Sequence, residues 1–307
     1  MKTSYAILVN PVSGVYDPSK KRAALIQSAR ILDNCEIFGL NTRSKAEFCE
    51  LAHDLSKCVE TLVVAGGDGT FSDVMNSVGS DAQLGYIPMG SGNLLGWNLG
   101  YKPGREKGLE RAALQIRNGS TQFIDVILYN DSIKTMVNGI GFEAFAIKRS
   151  EEQRGIGTCE QNKGLQKSKS TGGLLKYVRA TASAFFDYAH TAAIQLSFDG
   201  ETIETDRFYS ATISKYPKHT HNASVMPGAR LDDGKLHMLT LNKNLALTIK
   251  DVGLAVTLGM VPANYVSSKE LSLSTDQPIP VHLDGNYIGD ESEINFKVLP
   301  GELRLVC

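Results

Sequence analysis

The sequence lacks the features that mark secreted, membrane-spanning and nucleic-acid-binding proteins. Its 307 residues include five cysteines, none in CxxC or paired spacing, and no secretory signal follows Met1. This favours reduced thiols in a cytosol over disulfides. The most apolar segment, Val252–Val261, is too short to span a bilayer. The formal net charge of −1 gives no global attraction for nucleic acid or acidic lipid, so any membrane contact must be local. We therefore expect a cytoplasmic protein that binds no nucleic acid.

The sequence also lacks the two commonest nucleotide-binding signatures, GxxxxGK[ST] and a GxGxxG that follows a strand. It has instead an apolar run, Leu62–Ala65, that stops at Gly66-Gly67-Asp68-Gly69-Thr70. The run predicts a buried parallel strand, and the apolar residues after Thr70 return with helical spacing. A strand, a glycine turn and a helix present backbone N–H groups to an anion, usually a phosphate. An ordinary strand-to-helix turn is the alternative, but the density of glycine and the carboxylate favour a phosphate site.

Strand and helix patterns alternate over roughly the first 120 residues, which predicts a doubly wound α/β domain for residues 1–124. Glycine-bearing loops follow the strands that end at Val9, Ala65 and Ile87. Ligands of such sheets lie beyond the carboxyl ends of the strands, so these loops are expected at one edge. Residues 125–307 are richer in strand patterns and predict a β-sandwich, in which Asp199-Gly200 marks a hairpin.

A fourth polar segment, Ala229–Lys235, lies in the predicted second domain. Its Asp233-Gly234 pair, like Asp284-Gly285, stands between alternating segments, so local evidence predicts a hairpin turn at each.

The motifs occur in an order that resembles the diacylglycerol kinase catalytic family. That family includes soluble bacterial diacylglycerol kinases, related bacterial lipid kinases, sphingosine kinases and ceramide kinases. The resemblance covers nearly the whole chain. It rests on Ile7-Leu8-Val9-Asn10-Pro11-x-Ser13-Gly14, Gly66–Thr70 with Asn76, Pro88-x-Gly90-Ser91-Gly92-Asn93, Asn138–Phe142, Leu231–Gly234 and Asp284-Gly285.

The resemblance implies a nucleotide-binding α/β domain and a β-sandwich, with ATP and lipid meeting in the cleft between them. The implied reaction moves the γ-phosphoryl group of ATP to the hydroxyl of a diacylglycerol-like or sphingoid lipid. Such a site needs a phosphate cradle, Mg²⁺ and a group that orients or deprotonates the hydroxyl. The lipid substrate implies peripheral membrane contact, and the basic residues within 154–169 are candidates for it. The resemblance also allows a homodimer.

The resemblance also assigns residues to the nucleotide. Asp68 is implied to organise Mg²⁺, and in sphingosine-type members the matching aspartate has also been assigned as the base. Asp73 stands where the family usually has glutamate. The implied ATP-binding set is Asn10, Pro11, Ser13, Gly14, Thr42, Gly66, Gly67, Asp68, Gly69, Thr70, Asp73, Ser91, Gly92 and Asn93.

Asp233 matches a structural Mg²⁺ site of the soluble bacterial enzymes. There the carboxylate is joined by main-chain carbonyls that match Arg230 and Lys235, and hard cations accept such oxygens. A hairpin turn without a metal remains the alternative.

The chain departs from the family at Asn286, where a glutamate is the expected general base. An amide cannot take up a proton at neutral pH. Asp68 or Asp284 could serve as the catalytic carboxylate instead, or the site could depend on positioning and electrostatics. The alternatives to a lipid kinase are a weak or inactive nucleotide-binding member and a kinase for a soluble hydroxyl compound.

Overall fold

The computed structural model of the protein describes residues 3–13, 17–101, 106–153, 187–188, 191–219 and 223–307. The helices are α1 Pro18–Ile31, α2 Lys45–Cys58, α3 Asp68–Met75, α4 Leu94–Asn98, α5 Glu106–Asn118, α6 Phe142–Gln153 and α7 Leu245–Leu258. The strands up to residue 141 are β1 Thr3–Val9, β2 Ile37–Phe38, β3 Val59–Gly66, β4 Gln83–Pro88, β5 Thr121–Tyr129, β6 Ile133–Thr135 and β7 Val137–Gly141. The later strands are β8 Ala192–Phe198, β9 Glu201–Phe208, β10 Ser210–Ser214, β11 Lys218–His219, β12 Ala223–Ser224, β13 Leu236–Leu241, β14 Tyr265–Ser268, β15 Glu270–Leu283 and β16 Asn286–Val306.

The first four strands form a parallel sheet in the order β2-β1-β3-β4. Helices cover both of its faces: Gly85 of β4 faces Ile116 of α5, while the next residue, Tyr86, stacks edge-on against Phe71 of α3. Successive strand residues point to opposite faces, so these contacts place α5 and α3 on opposite sides. The predicted doubly wound arrangement is confirmed.

Helix α3 begins earlier than the sequence pattern predicts. The expected helix starts after Thr70, but the observed helix starts at Asp68, and Phe71 N already donates to Gly67 O at 3.0 Å. Gly67 is extended and acts as the N-cap. The Asp68–Thr70 segment is therefore the first turn of α3, where N–H groups lack partners within the helix.

The second half is built from antiparallel strands, so the prediction of a β-rich second part is confirmed. Asp199-Gly200 joins β8 to β9 and Asp284-Gly285 joins β15 to β16, each as a two-residue hairpin with positive φ at both positions. The hairpin predicted at Asp233-Gly234 is wrong. In the described part of the chain, β13 after this turn pairs with β10 and β14 and not with the strand that precedes the turn. Instead, Asp233 and Lys235 of this segment accept hydrogen bonds from the buried ammonium group of Lys215.

The two halves share one sheet, a feature that no local pattern indicates. The end of β16 returns to the first half and runs parallel to β4, with Arg304 opposite Gln83 and Leu305 opposite Leu84. Its apolar side chains Leu303, Leu305 and Val306 join the core of the α/β part. The boundary predicted at residue 124 stays a prediction, and the last residues of the chain pack with the first half.

In the described ranges, no helix is long and apolar enough to cross a membrane. The basic residues within 154–169 lie outside the described part of the chain.

Candidate active site

Three loops meet where β1, β3 and β4 end, as the sequence predicts. Asn10 Nδ2 donates to Thr70 Oγ1 at 3.2 Å, which ties the first loop to α3. Met89 N donates to Gly66 O at 2.7 Å, which ties the third loop to the second. The side chain of Asn93 closes the third loop, because it bonds both the N–H and the carbonyl of Gly90 at 2.8 Å. The edge of the sheet is therefore a single connected surface.

Close packing between loops accounts for part of the glycine content. A Cβ on Gly90 would lie 2.4 Å from Gly67 Cα, and a Cβ on Gly66 would lie 2.6 Å from Thr70 Cβ. Distances this short exclude any side chain without movement of the backbone. Gly69 differs, since its nearest neighbour would be Asn286 Nδ2 at 4.0 Å. At Gly69 the first turn of α3 therefore faces Asn286 of the second half of the chain, with space between them.

Asp68 joins α3 to the start of α4. Its Oδ1 accepts a hydrogen bond from Leu95 N at 3.1 Å. Burial raises the pKa of the Asp68 carboxyl, and the N–H groups of Leu94 and Leu95 oppose that rise. A Cβ on Gly92 would lie 3.1 Å from Asp68 Oδ2, so the glycine leaves space beside this oxygen.

The other residues assigned to ATP have varied surroundings. Thr42 is buried and its hydroxyl donates to Gly39 O at 2.8 Å, while Ser91 is exposed. Asp73 is paired with Lys45 of α2 at 2.6 Å. Within the first loop, Pro11 is buried and half-buried Ser13 donates to the carbonyl of Asn10 at 3.2 Å. Gly14 lies outside the described residues. Their roles in nucleotide binding stay predictions.

Lys21 of α1 is a candidate that the sequence analysis did not single out. Its side chain is 0% exposed, and Nζ donates to the carbonyl of Asn10 at 2.6 Å. No carboxylate forms an ion pair with it in the described part of the chain. Burial lowers its pKa to about 8. A cation without a counter-ion behind a glycine-rich edge is suited to an anionic ligand.

The Asp284 hairpin brings the second half to the same edge. Asp284 Oδ2 accepts from Ser72 Oγ of α3 at 2.7 Å, and Oδ1 accepts from Met136 N and Val137 N at 2.9 Å each. Burial raises the pKa of Asp284, and these hydrogen bonds oppose the rise. Asn286 is exposed beside Gly69. Asp284 thus connects the β-rich part to α3 through Oδ2, and Oδ1 ties the hairpin to the start of β7.

Next to this hairpin lies another carboxylate, which was not predicted from the sequence. Glu143, at the start of α6, accepts a hydrogen bond from the Thr212 hydroxyl, and its Oε1 lies 3.7 Å from His282 Nε2. Although burial alone would raise the pKa of Glu143, His282 and Thr212 hold it below its usual range. A Cβ on Gly139 would lie 2.3 Å from His282 Nε2, so this group needs glycine there.

The predicted metal position at Asp233 contains a lysine. Lys215 Nζ lies 2.8 Å from Asp233 Oδ1 and also donates to the main-chain carbonyl of Lys235. Two of the oxygens assigned to Mg²⁺ are therefore used by an ammonium group, and the residues present do not fit a metal at this position. In the described ranges, no group of three or more His, Cys, Asp or Glu side chains could hold a metal.

Comparison with known proteins gives the family. Residues 4–129 match the model of the diacylglycerol kinase catalytic domain. Residues 4–129, the α/β part of the chain, are therefore similar to this catalytic domain. The predicted family is thereby confirmed, and with it the prediction of a kinase.

The whole chain is similar to relatives named for the same chemistry. It is 22% identical over 318 residues to a diacylglycerol kinase of Staphylococcus carnosus, with 96% of this chain and 92% of the relative covered. It is 26% identical over 280 residues to a protein of Staphylococcus aureus whose name proposes a lipid kinase, with 83% and 79% covered. The crystal structure of a diacylglycerol kinase from Bacillus anthracis has a TM-score of 0.73 at 19% identity, covers 99% of this chain and 96% of its own, and confirms the fold.

Proposed function

We propose that this kinase transfers the γ-phosphoryl group of ATP to a hydroxyl group of a lipid, with Mg²⁺ arriving as part of the nucleotide complex. The observation that carries the proposal is the meeting of three loops, a buried cation and a hairpin from the second half at one sheet edge. Phosphoryl transfer depends mainly on positioning and on neutralising charge, and this arrangement supplies both.

The phosphates are proposed to lie over the first turn of α3. Its N–H groups have no partner within the helix and form an anion site at the positive end of the helix dipole. Lys21 adds a full charge from beneath the first loop, since a pKa of about 8 leaves it mostly protonated at neutral pH. Phosphate binding would raise that pKa further, because an opposite charge favours the charged form.

The hydroxyl of the acceptor is proposed to lie between Asp68 and the Asp284 hairpin. A carboxylate whose pKa is raised by burial accepts a proton more readily than an ordinary aspartate. Asp68 is therefore the proposed base, while Asp284 holds the two halves in position through Ser72. Asn286 takes no proton and leaves this task to another group.

The acceptor is proposed to be a lipid because of the family and the names of the relatives. A lipid hydroxyl is reached at a membrane or micelle surface, so the proposal includes peripheral membrane contact from the cytoplasm.

The test is phosphoryl transfer from labelled ATP and Mg²⁺ to micelles of diacylglycerol, phosphatidylglycerol, sphingosine or ceramide. Label in a lipid fraction supports the proposal, and label only in a soluble hydroxyl compound refutes a lipid acceptor. Asp68→Asn is expected to lower turnover by at least about 100-fold without unfolding the protein. Asp54→Asn is the control, since this aspartate is exposed on α2 and lies outside the residues assigned to the nucleotide. Equal activity of the two variants would exclude Asp68 as the base.

A second candidate function is nucleotide binding with little transfer. The exposed amide of Asn286 beside Gly69 favours it, because no carboxylate stands at this position. ATP binding without label in any acceptor, unchanged in Asp68→Asn, would support this alternative.

A further inference from the structure

Lys215 is fully buried and all three of its N–H donors have acceptors. The residue follows β10 and its side chain is 0% exposed. Nζ lies 3.0 Å from Asp125 Oδ2 and 2.8 Å from Asp233 Oδ1, and it also donates to the carbonyl of Lys235. An ammonium group has three donors and no acceptor, so its hydrogen-bonding capacity is filled by these oxygens.

Asp125, one of the two carboxylate partners, is also buried, and both of its oxygens accept hydrogen bonds. Its carboxylate is 4% exposed. Oδ1 accepts from Gly301 N at 2.9 Å, and Oδ2 accepts from Gly234 N at 2.7 Å in addition to Lys215. The backbone N–H of Asp125 donates to Leu231 O at 2.8 Å. The ammonium therefore sits at the point where β5, β16 and the 231–235 segment meet.

This arrangement disagrees with the expected metal. Mg²⁺ needs about six oxygens at roughly 2.0–2.1 Å in octahedral geometry. Three oxygens are assigned to it, the carboxylate of Asp233 and the carbonyls of Arg230 and Lys235, and Lys215 binds those of Asp233 and Lys235. A dication on the same oxygens would lie within a few ångströms of a buried ammonium, where repulsion is strong because little solvent screens it. Lysine and metal therefore exclude each other here.

We infer that the ammonium group of Lys215 is the resident cation of the 231–235 segment, and that this chain binds no divalent metal there. The side chain neutralises two carboxylates and organises the turn at Gly234, a role that a bound ion would otherwise fill. The inference does not depend on the proposed reaction, because it concerns a position separate from the three-loop edge.

The first test measures bound metal in the nucleotide-free wild type after treatment with EDTA and equilibration with Mg²⁺ or Mn²⁺. Metal content and the melting temperature with and without Mg²⁺ are recorded, with Asp233→Asn as the comparison. We expect no retained metal and no change in melting temperature on adding Mg²⁺. One retained ion per chain in the wild type that is lost in Asp233→Asn would overturn the inference.

The second test removes the cation. Lys215→Met is expected to lower the melting temperature by roughly 10 °C, because it leaves the buried carboxylate of Asp125 without a counter-charge and removes the ammonium group beside Asp233. Lys21→Met is the matched control, a fully buried lysine without an ion pair among the described residues, and is expected to cause no such loss. A Lys215→Met protein as stable as the wild type would overturn the inference. If this variant does not fold, the metal measurement on the wild type still decides.

Discussion

The buried charge of Lys21 is expected to lower the stability of the folded protein and to strengthen its binding of ATP. A single substitution at Lys21 tests both effects. Its ammonium is buried with one carbonyl partner, and its pKa falls from the ordinary 10.5 to about 8. A pKa difference of about 2.5 corresponds to about 3 kcal/mol, since each pKa unit is worth about 1.4 kcal/mol. At pH 7 the folded protein bears this cost because Lys21 is protonated in a site that disfavours its charge.

Lys21→Met removes the charge and keeps most of the apolar volume. The gain of about 3 kcal/mol is reduced by roughly 1 kcal/mol for the hydrogen bond lost at the carbonyl of Asn10. We therefore expect the variant to be more stable than the wild type by about 2 kcal/mol at pH 7. The same substitution removes the cation beneath the phosphate loop, so we expect ATP to bind about tenfold more weakly.

The pH dependence has a definite sign. Between pH 8 and 10.5 the unfolded chain keeps the proton on Lys21 while the folded chain releases it, so the unfolding free energy of the wild type rises with pH in this window. The variant lacks this rise of about 1.4 kcal/mol per pH unit, so its advantage of about 2 kcal/mol should vanish at about pH 9.5 and reverse by pH 10.5.

The assay is urea unfolding of both proteins at pH 7, 8.5 and 10, combined with calorimetric titration of ATP. Lys20→Met is the matched control, since the neighbouring lysine is exposed. A variant that is less stable than the wild type at pH 7, or that binds ATP equally well, would refute this account of Lys21.

Three further predictions concern the edge and the hairpin. Gly90→Ala should lower stability by about 1–3 kcal/mol in thermal unfolding, because its Cβ would meet Gly67 Cα at 2.4 Å; Ser91→Ala in the same loop is the control. Ser72→Ala should reduce turnover at little cost in ATP affinity, since it cuts the 2.7 Å bond to Asp284 that joins the halves; equal turnover would contradict this role. Asn286→Glu should raise turnover if a missing base limits the reaction, with Asn286→Gln as the uncharged control.

The sequence was sufficient to predict the edge but not its internal contacts. Apolar runs that end in glycine identify parallel strands and place their loops together, because carboxyl ends meet at one side of such a sheet. The density of glycine predicts a phosphate site, whereas in the structure Gly67 and Gly90 also pack backbone against backbone. Such contacts join loops that are more than 20 residues apart, and no local pattern contains that information.

The two buried lysines could not be predicted for a related reason. Lysine is rarely buried, so neither Lys21 nor Lys215 stands out in a sequence. Lys215 becomes meaningful only when Asp125 and Asp233 meet in space, since they are far apart in the chain. The return of β16 to β4 was missed in the same way, because its last residues look like any other strand end.

The carboxylates at the edge have different tasks, which bears on the missing glutamate at position 286. Both oxygens of Asp284 accept hydrogen bonds, Oδ2 from Ser72 and Oδ1 from Met136 and Val137, so protonation would weaken its contacts with α3 and with β7. Oδ1 of Asp68 accepts a hydrogen bond from Leu95 N, and Gly92 leaves space beside Oδ2. We therefore propose that Asp284 positions the two parts of the site and that Asp68, with space beside its Oδ2, acts on the acceptor.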